Sequence, residues 1–497
     1  MTFSCQIYKL VFILLFFYSS GSLLYGQSSK KYSKEIQSKI KQVENNLSAW
    51  AQIENKPQKW TLKERMKFYH ANGVSIAVIK NYKIEWAKGY GWADSLEQKP
   101  VTIETLFQAG SNSKSLNAVG ILKLVQEGKL NLDVDINNYL KTWKFPYDSL
   151  SKGKKITIKN LLSHTAGLTV HGFDGYEKEN AIPTILQTLN GQKPANSEAV
   201  RSAYEPSLKY EYSGGGTTIS QLIIEDVTGK HYDEYMWENV LKPLGMTYSS
   251  YTQPPSKEKL KLLATGYYND GKAVKGKYHI YPEQAAAGLW TNPIDLAKYV
   301  IETQLSLLGK SQKVLSKEMT QIRLTPYIDS KAGLGVFIID KNGVKNFEHG
   351  GVDEGFVSQY IGTMTGGNGV VVMTNTYNTA LFDEIIRSVA LTYNWKNTYT
   401  PDIKKEIHIK DEDLKPYLGK YGSGDFIWSI IKKENDIFLN INNNQYWGTC
   451  MWKIHFTNEN NFFVSEKNCE FNFVRDTSGK ITALNWNNED KLKKVEE

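Results

Sequence analysis

Two periodicities share this chain. After Lys9 comes an unbroken apolar run, Leu10-Val-Phe-Ile-Leu-Leu-Phe-Phe17, too short to span a bilayer as a mature helix. Small and polar residues then lead to Leu24-Tyr-Gly-Gln27, the order of a secretory signal peptide cut after Gly26; an uncleaved anchor is the competing reading. Residues 30–54 are charged and helix-compatible, which reads as a solvent-facing extension. Strand patterning begins at Gly73-Val-Ser-Ile-Ala-Val-Ile79 and Ile84-Glu-Trp-Ala-Lys-Gly-Tyr90, and the intervening Lys80-Asn-Tyr-Lys83 reads as a hairpin. Helical patterns cover 114–128, 217–229 and 292–308. Strand-like runs return at Leu334-Gly-Val-Phe-Ile-Ile339, Phe356-Val-Ser-Gln-Tyr-Ile361 and Gly369-Val-Val-Val-Met-Thr374, and a helix over 380–391 closes the unit. Strands at both ends with helices between predict a mixed α/β (α+β) fold whose terminal strands share one sheet.

Past Thr398-Tyr-Thr-Pro401 the pattern changes. Residues 415–486 alternate aromatic and polar positions in short runs broken by Asn, Gly and Asp turns, predicting a small all-β sandwich or barrel. With 497 residues, more than one ordinary domain, the expected division is a leader (1–26), an extension (27–59), a main domain (60–400) and a β-domain (401–497). The formal charge of +8 is scattered among nearly as many acidic residues, so it describes a solvated lysine-rich surface and not a nucleic-acid site. Of three cysteines, Cys5 precedes the apolar run, and only Cys450 and Cys469 survive cleavage. In an exported protein these two either pair, contributing about 3 kcal/mol, or stay separate thiols. The eight histidines form no HxH or HExxH pair and the cysteines lack zinc spacing, so no metal is implied.

Candidate chemistry centres on Phe107-Gln-Ala-Gly-Ser-Asn-Ser-Lys114. If Ser111 opens the apolar helix Leu116-Asn-Ala-Val-Gly-Ile-Leu-Lys-Leu-Val125, Lys114 lies one turn along the same face, where its amine can take the hydroxyl proton. The same spacing recurs at Ser28, Ser38, Ser149, Ser151, Ser256 and Ser429, in polar, lysine-rich or strand-like surroundings. Only Ser111 combines a glycine turn before it with a buried helix after it. A bland role as a helix N-cap competes.

Further segments follow in order: Ile156-Thr-Ile-Lys-Asn-Leu-Leu-Ser-His-Thr-Ala-Gly-Leu168, Tyr212-Ser-Gly-Gly-Gly216, Lys242-Pro-Leu-Gly-Met246, Ala287-Gly-Leu-Trp290 and His349-Gly-Gly351. With Ser111 and Lys114, they make residues 60–395 resemble the serine β-lactamase and penicillin-recognising hydrolase superfamily, in its class C-like branch of D-aminopeptidases, DD-carboxypeptidases and EstB-type esterases. That resemblance implies an antiparallel sheet flanked by helices, with the C-terminal β-domain similar to appended lipocalin-like domains. It implies an exported, periplasmic or secreted serine hydrolase working through an acyl-enzyme, with no cofactor and a small-molecule or peptide substrate.

By the same resemblance, Ser111 is the nucleophile and Lys114 shuttles its proton. Tyr212 is the tyrosine of a YxN motif, acting as general base. The backbone N–H groups of Ser111 and Val352, after Gly350 and Gly351, form the oxyanion hole. Two departures matter. Gly214 replaces the YxN asparagine, removing an amide that would hold a substrate acyl-amide. His349 replaces the KTG lysine, and at its ordinary pKa is fully charged only below roughly pH 6 to 7, which argues against efficient β-lactamase action. His164 invites a Ser-His-Asp reading, but no GxSxG elbow is present, and Ser163-His-Thr-Ala-Gly167 reads as a glycine-capped helix end. A slow-turnover sensor of the same fold is the rival function. A glycan- or wall-binding role for the β-domain, through Trp428, Tyr446, Trp447 and Trp452, competes with plain packing of those aromatics.

Overall fold

The computed structural model describes residues 32–495, apart from 342, 397, 424–425, 445–447 and 487–489. The apolar leader and the junction at Gly26 therefore lie outside the described residues, as do Tyr446 and Trp447.

Seven strands form the central antiparallel sheet: β1 (Gly73–Lys80), β2 (Lys83–Asp94), β3 (Lys99–Pro100), β4 (Phe337–Lys341), β5 (Val344–Asp353), β6 (Phe356–Thr363) and β7 (Gly369–Thr374). Their order is β3-β2-β1-β7-β6-β5-β4. The terminal strands do share one sheet, since β1 and β7 pair from Gly369↔Ile79 to Thr374↔Val74. At the β1–β2 turn, Asn81 and Tyr82 both take positive φ, 50° and 63°, the backbone that matches the twist of a two-residue hairpin.

Alternation along β1 and β7 sends side chains into two separate cores. Val74, Ile76, Val78, Val370 and Val372 face one; Ala77, Ile79, Val371 and Met373 face the other. Seven helices matter to the two faces: α1 (Lys34–Asn45), α2 (Leu62–Phe68), α3 (Asn112–Gln126), α4 (Gly214–Thr228), α5 (Gln284–Ala287), α6 (Pro293–Leu307) and α7 (Ala380–Thr392). Residues of α1, α2 and α7 fill the first core, and residues of α3 to α6 the second, larger one. Every residue of α3 from Asn112 to Leu122 is buried, so this helix runs through the core and not over it.

The expected solvent-facing extension behaves differently. Ile36, Ile40, Val43 and Leu47 recur at helical spacing among charges, and this stripe packs against α7. Residues Ala51–Ile53 then pair in parallel with Asp402–Lys404, and Trp50 N–H donates to Ser465 O at 2.8 Å. The extension thus bridges the main sheet and the C-terminal unit.

That unit is an eight-stranded meander between Gly419 and Lys493, in which each strand pairs with its sequence neighbour. Val495 N–H donates to Lys420 O at 2.8 Å, drawing the last strand back to the first and nearly closing a barrel. Trp428 and Trp452 point into its aromatic interior and are buried, so these two pack the core instead of offering a platform. No disulfide joins Cys450 and Cys469, both partly buried against this interior.

Candidate active site

A short strand, Phe107–Gln108, pairs with Trp290–Thr291 and delivers the chain to Gly110, whose φ of +52° is left-handed backbone that suits glycine. The turn then presses backbone to backbone on β5. A Cβ on Gly110 would lie 2.5 Å from Val352 N, and one on Gly351 would lie 1.9 Å from Ala109 O and 2.9 Å from Ser111 N. The two proposed oxyanion donors are thereby brought side by side, with the Val352 side chain itself exposed. Gly350 lies flat against Gln359, whose Oε1 would be 2.5 Å from an added Cβ. Asp353 accepts from Gly110 N–H at 3.1 Å and pins the turn.

Ser111 stands at the head of α3 with helical φ and ψ of −65° and −7°, and its side chain makes no capping bond. Its hydroxyl is engaged by Lys114 instead: Nζ donates to Ser111 Oγ at 2.9 Å and to Ala286 O, on α5, at 2.7 Å. The i to i+3 geometry legible in the sequence is realised. Lys114 is only 4% exposed, and burial pulls its pKa down to about 7, with Asp353 pulling back upward.

Tyr212 arches over this amine, its ring centroid 5.0 Å from Nζ. Burial pushes the phenol above its ordinary value and interaction with Ser111 only partly offsets that. Gly214 opens α4, and the space its missing side chain would need is taken by Phe173 Cε2 and His171 O, 3.1 and 3.2 Å from an ideal Cβ.

The two histidines part company with their simplest readings. His349 is buried, its Nδ1–H donates to Gly350 O at 2.6 Å, and its Nε2 has no partner. Burial drags its pKa to about 3, with Lys114 and Arg323 adding to the fall, so the titration expected near pH 6 to 7 does not occur there. It is a neutral acceptor across the physiological range. His164 accepts from Ser213 N–H at 3.2 Å and packs its ring 4.3 Å from that of Tyr212. Burial holds it neutral as well, and it is Lys114 that reaches Ser111.

Residues that sequence reasoning passed over complete the surroundings. Ala286 O and Asp353 carry no motif of their own. Glu283, at the cap of α5, is buried with Oε2 unpartnered, and burial raises its pKa to about 7. Phe337 packs its ring 5.1 Å from that of His349. Only position in space identifies them.

Residues 60–394 match the family described as Beta-lactamase. Protein flp of Staphylococcus aureus (strain N315) is 30% identical over 271 residues, 52% of this chain and 52% of flp, so the chain spans about half the length of that relative. The structure of the octameric penicillin-binding protein homologue from Pyrococcus abyssi superposes with a TM-score of 0.59 at 23% identity, over 87% of this chain and 97% of the other. A penicillin binding protein from Bacillus halodurans gives 0.54 at 23% identity, over 66% and 98%. At such identities the two structures speak for the fold alone. With the family matched over most of the chain and the penicillin-binding-like fold around Ser111 and Lys114, this chain belongs to the beta-lactamase family.

Proposed function

We propose that the chain is an exported serine hydrolase of the class C-like branch, acylated on Ser111 by an ester or D-amino-acid peptide and freed by water. The observation that carries this is the buried Lys114 amine, 2.9 Å from Ser111 Oγ with its pKa near 7. A lysine in bulk water is almost wholly protonated at neutral pH, whereas this one is close to half free base and can accept the serine proton. While doing so it keeps its bond to Ala286 O, which fixes the direction of its lone pair. The Ser111 oxygen attacks the carbonyl carbon, and the negative charge forming on the carbonyl oxygen is met by the N–H groups of Ser111 and Val352. Tyr212, neutral by burial, relays the proton that Lys114 took: the phenol gives its own proton to the leaving group and is refilled from Lys114, so it is not a standing phenolate.

The missing cation at 349 argues against β-lactams, whose carboxylate would face a neutral imidazole. A slow-turnover sensor is the second reading. It is favoured by the same raised phenol, which leaves the water of deacylation with a weak base. Ser111→Ala should abolish labelling by a fluorophosphonate probe in a folded protein. Undiminished labelling or hydrolysis in that variant would remove the mechanism. A burst of p-nitrophenol from p-nitrophenyl acetate followed by steady turnover marks the hydrolase, and a burst without turnover marks the sensor. Mature protein recovered outside the cytoplasm should begin near Gln27.

A further inference from the structure

Phe173 stands where a side chain at 214 would project. Ser213 is extended, with φ −138° and ψ 114°, so residues 212 and 214 point to the same side of the chain. Tyr212 points over the Lys114 amine, and the Cβ direction at 214 therefore opens on the same cleft. There the phenyl ring sits 3.1 Å from the place of the absent Cβ, partly buried against the core.

The loop that carries the ring is held at both ends. His171 O accepts from Gly214 N–H at 3.1 Å, Val170 O from Gly215 N–H at 2.9 Å, and His171 Nδ1–H donates to Tyr212 O at 2.6 Å. At the other end Tyr176 exchanges backbone bonds with Ile280, and His279 Nδ1–H donates to Asp174 O at 2.8 Å. The backbone on either side of the ring is thereby fixed. By the ring of His349 stands a second aromatic, Phe337.

Building on the acylation of Ser111 proposed above, we propose that Phe173 forms the wall of the acyl subsite. The preferred substrates then carry a neutral, apolar acyl group of about ring size. A phenyl face offers no donor or acceptor to an amide, so an amide buried against it would lose its bonds to water. An apolar acyl body gains by leaving water there. Gly214 is what makes room for the ring, so glycine at 214 and phenylalanine at 173 act as one substitution of an amide clamp by an aromatic surface.

The test compares p-nitrophenyl phenylacetate with p-nitrophenyl acetate on the full chain, taking the ratio of their kcat/KM values. The wild-type ratio should exceed one, and Phe173→Ala should lower it about tenfold, the scale on which a pocket distinguishes apolar groups. If Phe173→Ala fails to fold, Phe173→Leu and Gly214→Ala carry the test: the first removes the ring, the second pushes on it, and the ratio falls in both. A ratio that stays within about twofold of wild type in the folded variants overturns the assignment. Fluorophosphonate labelling separates the two levels. A wild-type chain that takes no label at Ser111 brings down the hydrolase reading and this one together. Labelled Ser111 with an unmoved ratio removes the aromatic wall alone.

Discussion

In the proposed mechanism, reactivity rests on the protonation of one amine. Lys114 is drawn to about 7 by burial, so kcat/KM for a neutral ester should climb about tenfold per pH unit below that value and level off above it. Glu283 also sits near 7 and burial raises Asp353, while His349 lies far below and burial lowers His164. Glu283→Gln tests that carboxyl against the amine: a limb that vanishes belongs to Glu283, and one that survives does not. His349→Lys adds a cation near Lys114, and like charge disfavours the protonated amine, so the limb should move to lower pH. A limb that stays put would show residue 349 to be electrically remote. The same burial has a cost in stability. Between about pH 7 and 10.5 the unfolded chain holds a proton on this lysine that the folded chain lacks, so that contribution to stability rises with pH across the window and the full penalty applies below it. Lys114→Met should be inactive, yet more stable at pH 7 by about 1–3 kcal/mol in urea unfolding. Reduced stability would mean that the amine is better satisfied than its surroundings indicate.

At the scale of elements, the site is the contact of a turn with a strand. α3 points Ser111 at the cleft only because the turn before it lies flat on β5, and Gly351 is what lets the two backbones touch. Gly351→Ala places a Cβ 1.9 Å from Ala109 O, a backbone atom that cannot step aside. It should cost about 3 kcal/mol or more and separate the two proposed oxyanion donors, so any folded fraction labels slowly. A wild-type urea midpoint with full labelling would contradict this packing. The helix that makes the contact was legible as helical period, and so was the i to i+3 pair on α3, whereas β5 was not among the strands read from alternation and only its His349-Gly-Gly351 stood out. What could not be read was the partner across the turn. No local pattern tells Ala109 that it will lie on Gly351, or Lys114 that its second acceptor stands 172 residues along the chain.

At the scale of the whole molecule, the back of the sheet is tied to the barrel through a buried charge cluster. Arg65 donates to both oxygens of Glu384, at 2.6 and 2.8 Å, while Tyr69 OH donates to Glu384 at 2.6 Å and Glu466 of the barrel lies 3.9 Å from Arg65. Glu384 is fully buried, so removing the arginine strands its charge. Arg65→Met should destabilise the chain by about 3–5 kcal/mol, measured by urea unfolding at pH 7. A loss under about 1 kcal/mol would show that water reaches the carboxylate. The cluster lies among α2, α7 and the barrel, on the face of the sheet opposite α3 and its serine.

Composition, period and spacing by themselves determined the mixed main unit, the separate aromatic β-unit, the hairpin at Asn81 and the Ser111–Lys114 pair, because each is a relation between residues close in sequence. The apolar stripe of α1 was present in the same letters but was masked by its charges, and only the neighbouring α7 showed which face mattered. Tertiary structure alone decided that Lys114 titrates near 7 and His349 near 3, since both values come from desolvation by distant segments. It also decided that the space left by Gly214 is filled by Phe173. A missing side chain in a sequence is only a vacancy, and what occupies it depends on which loop the fold folds back.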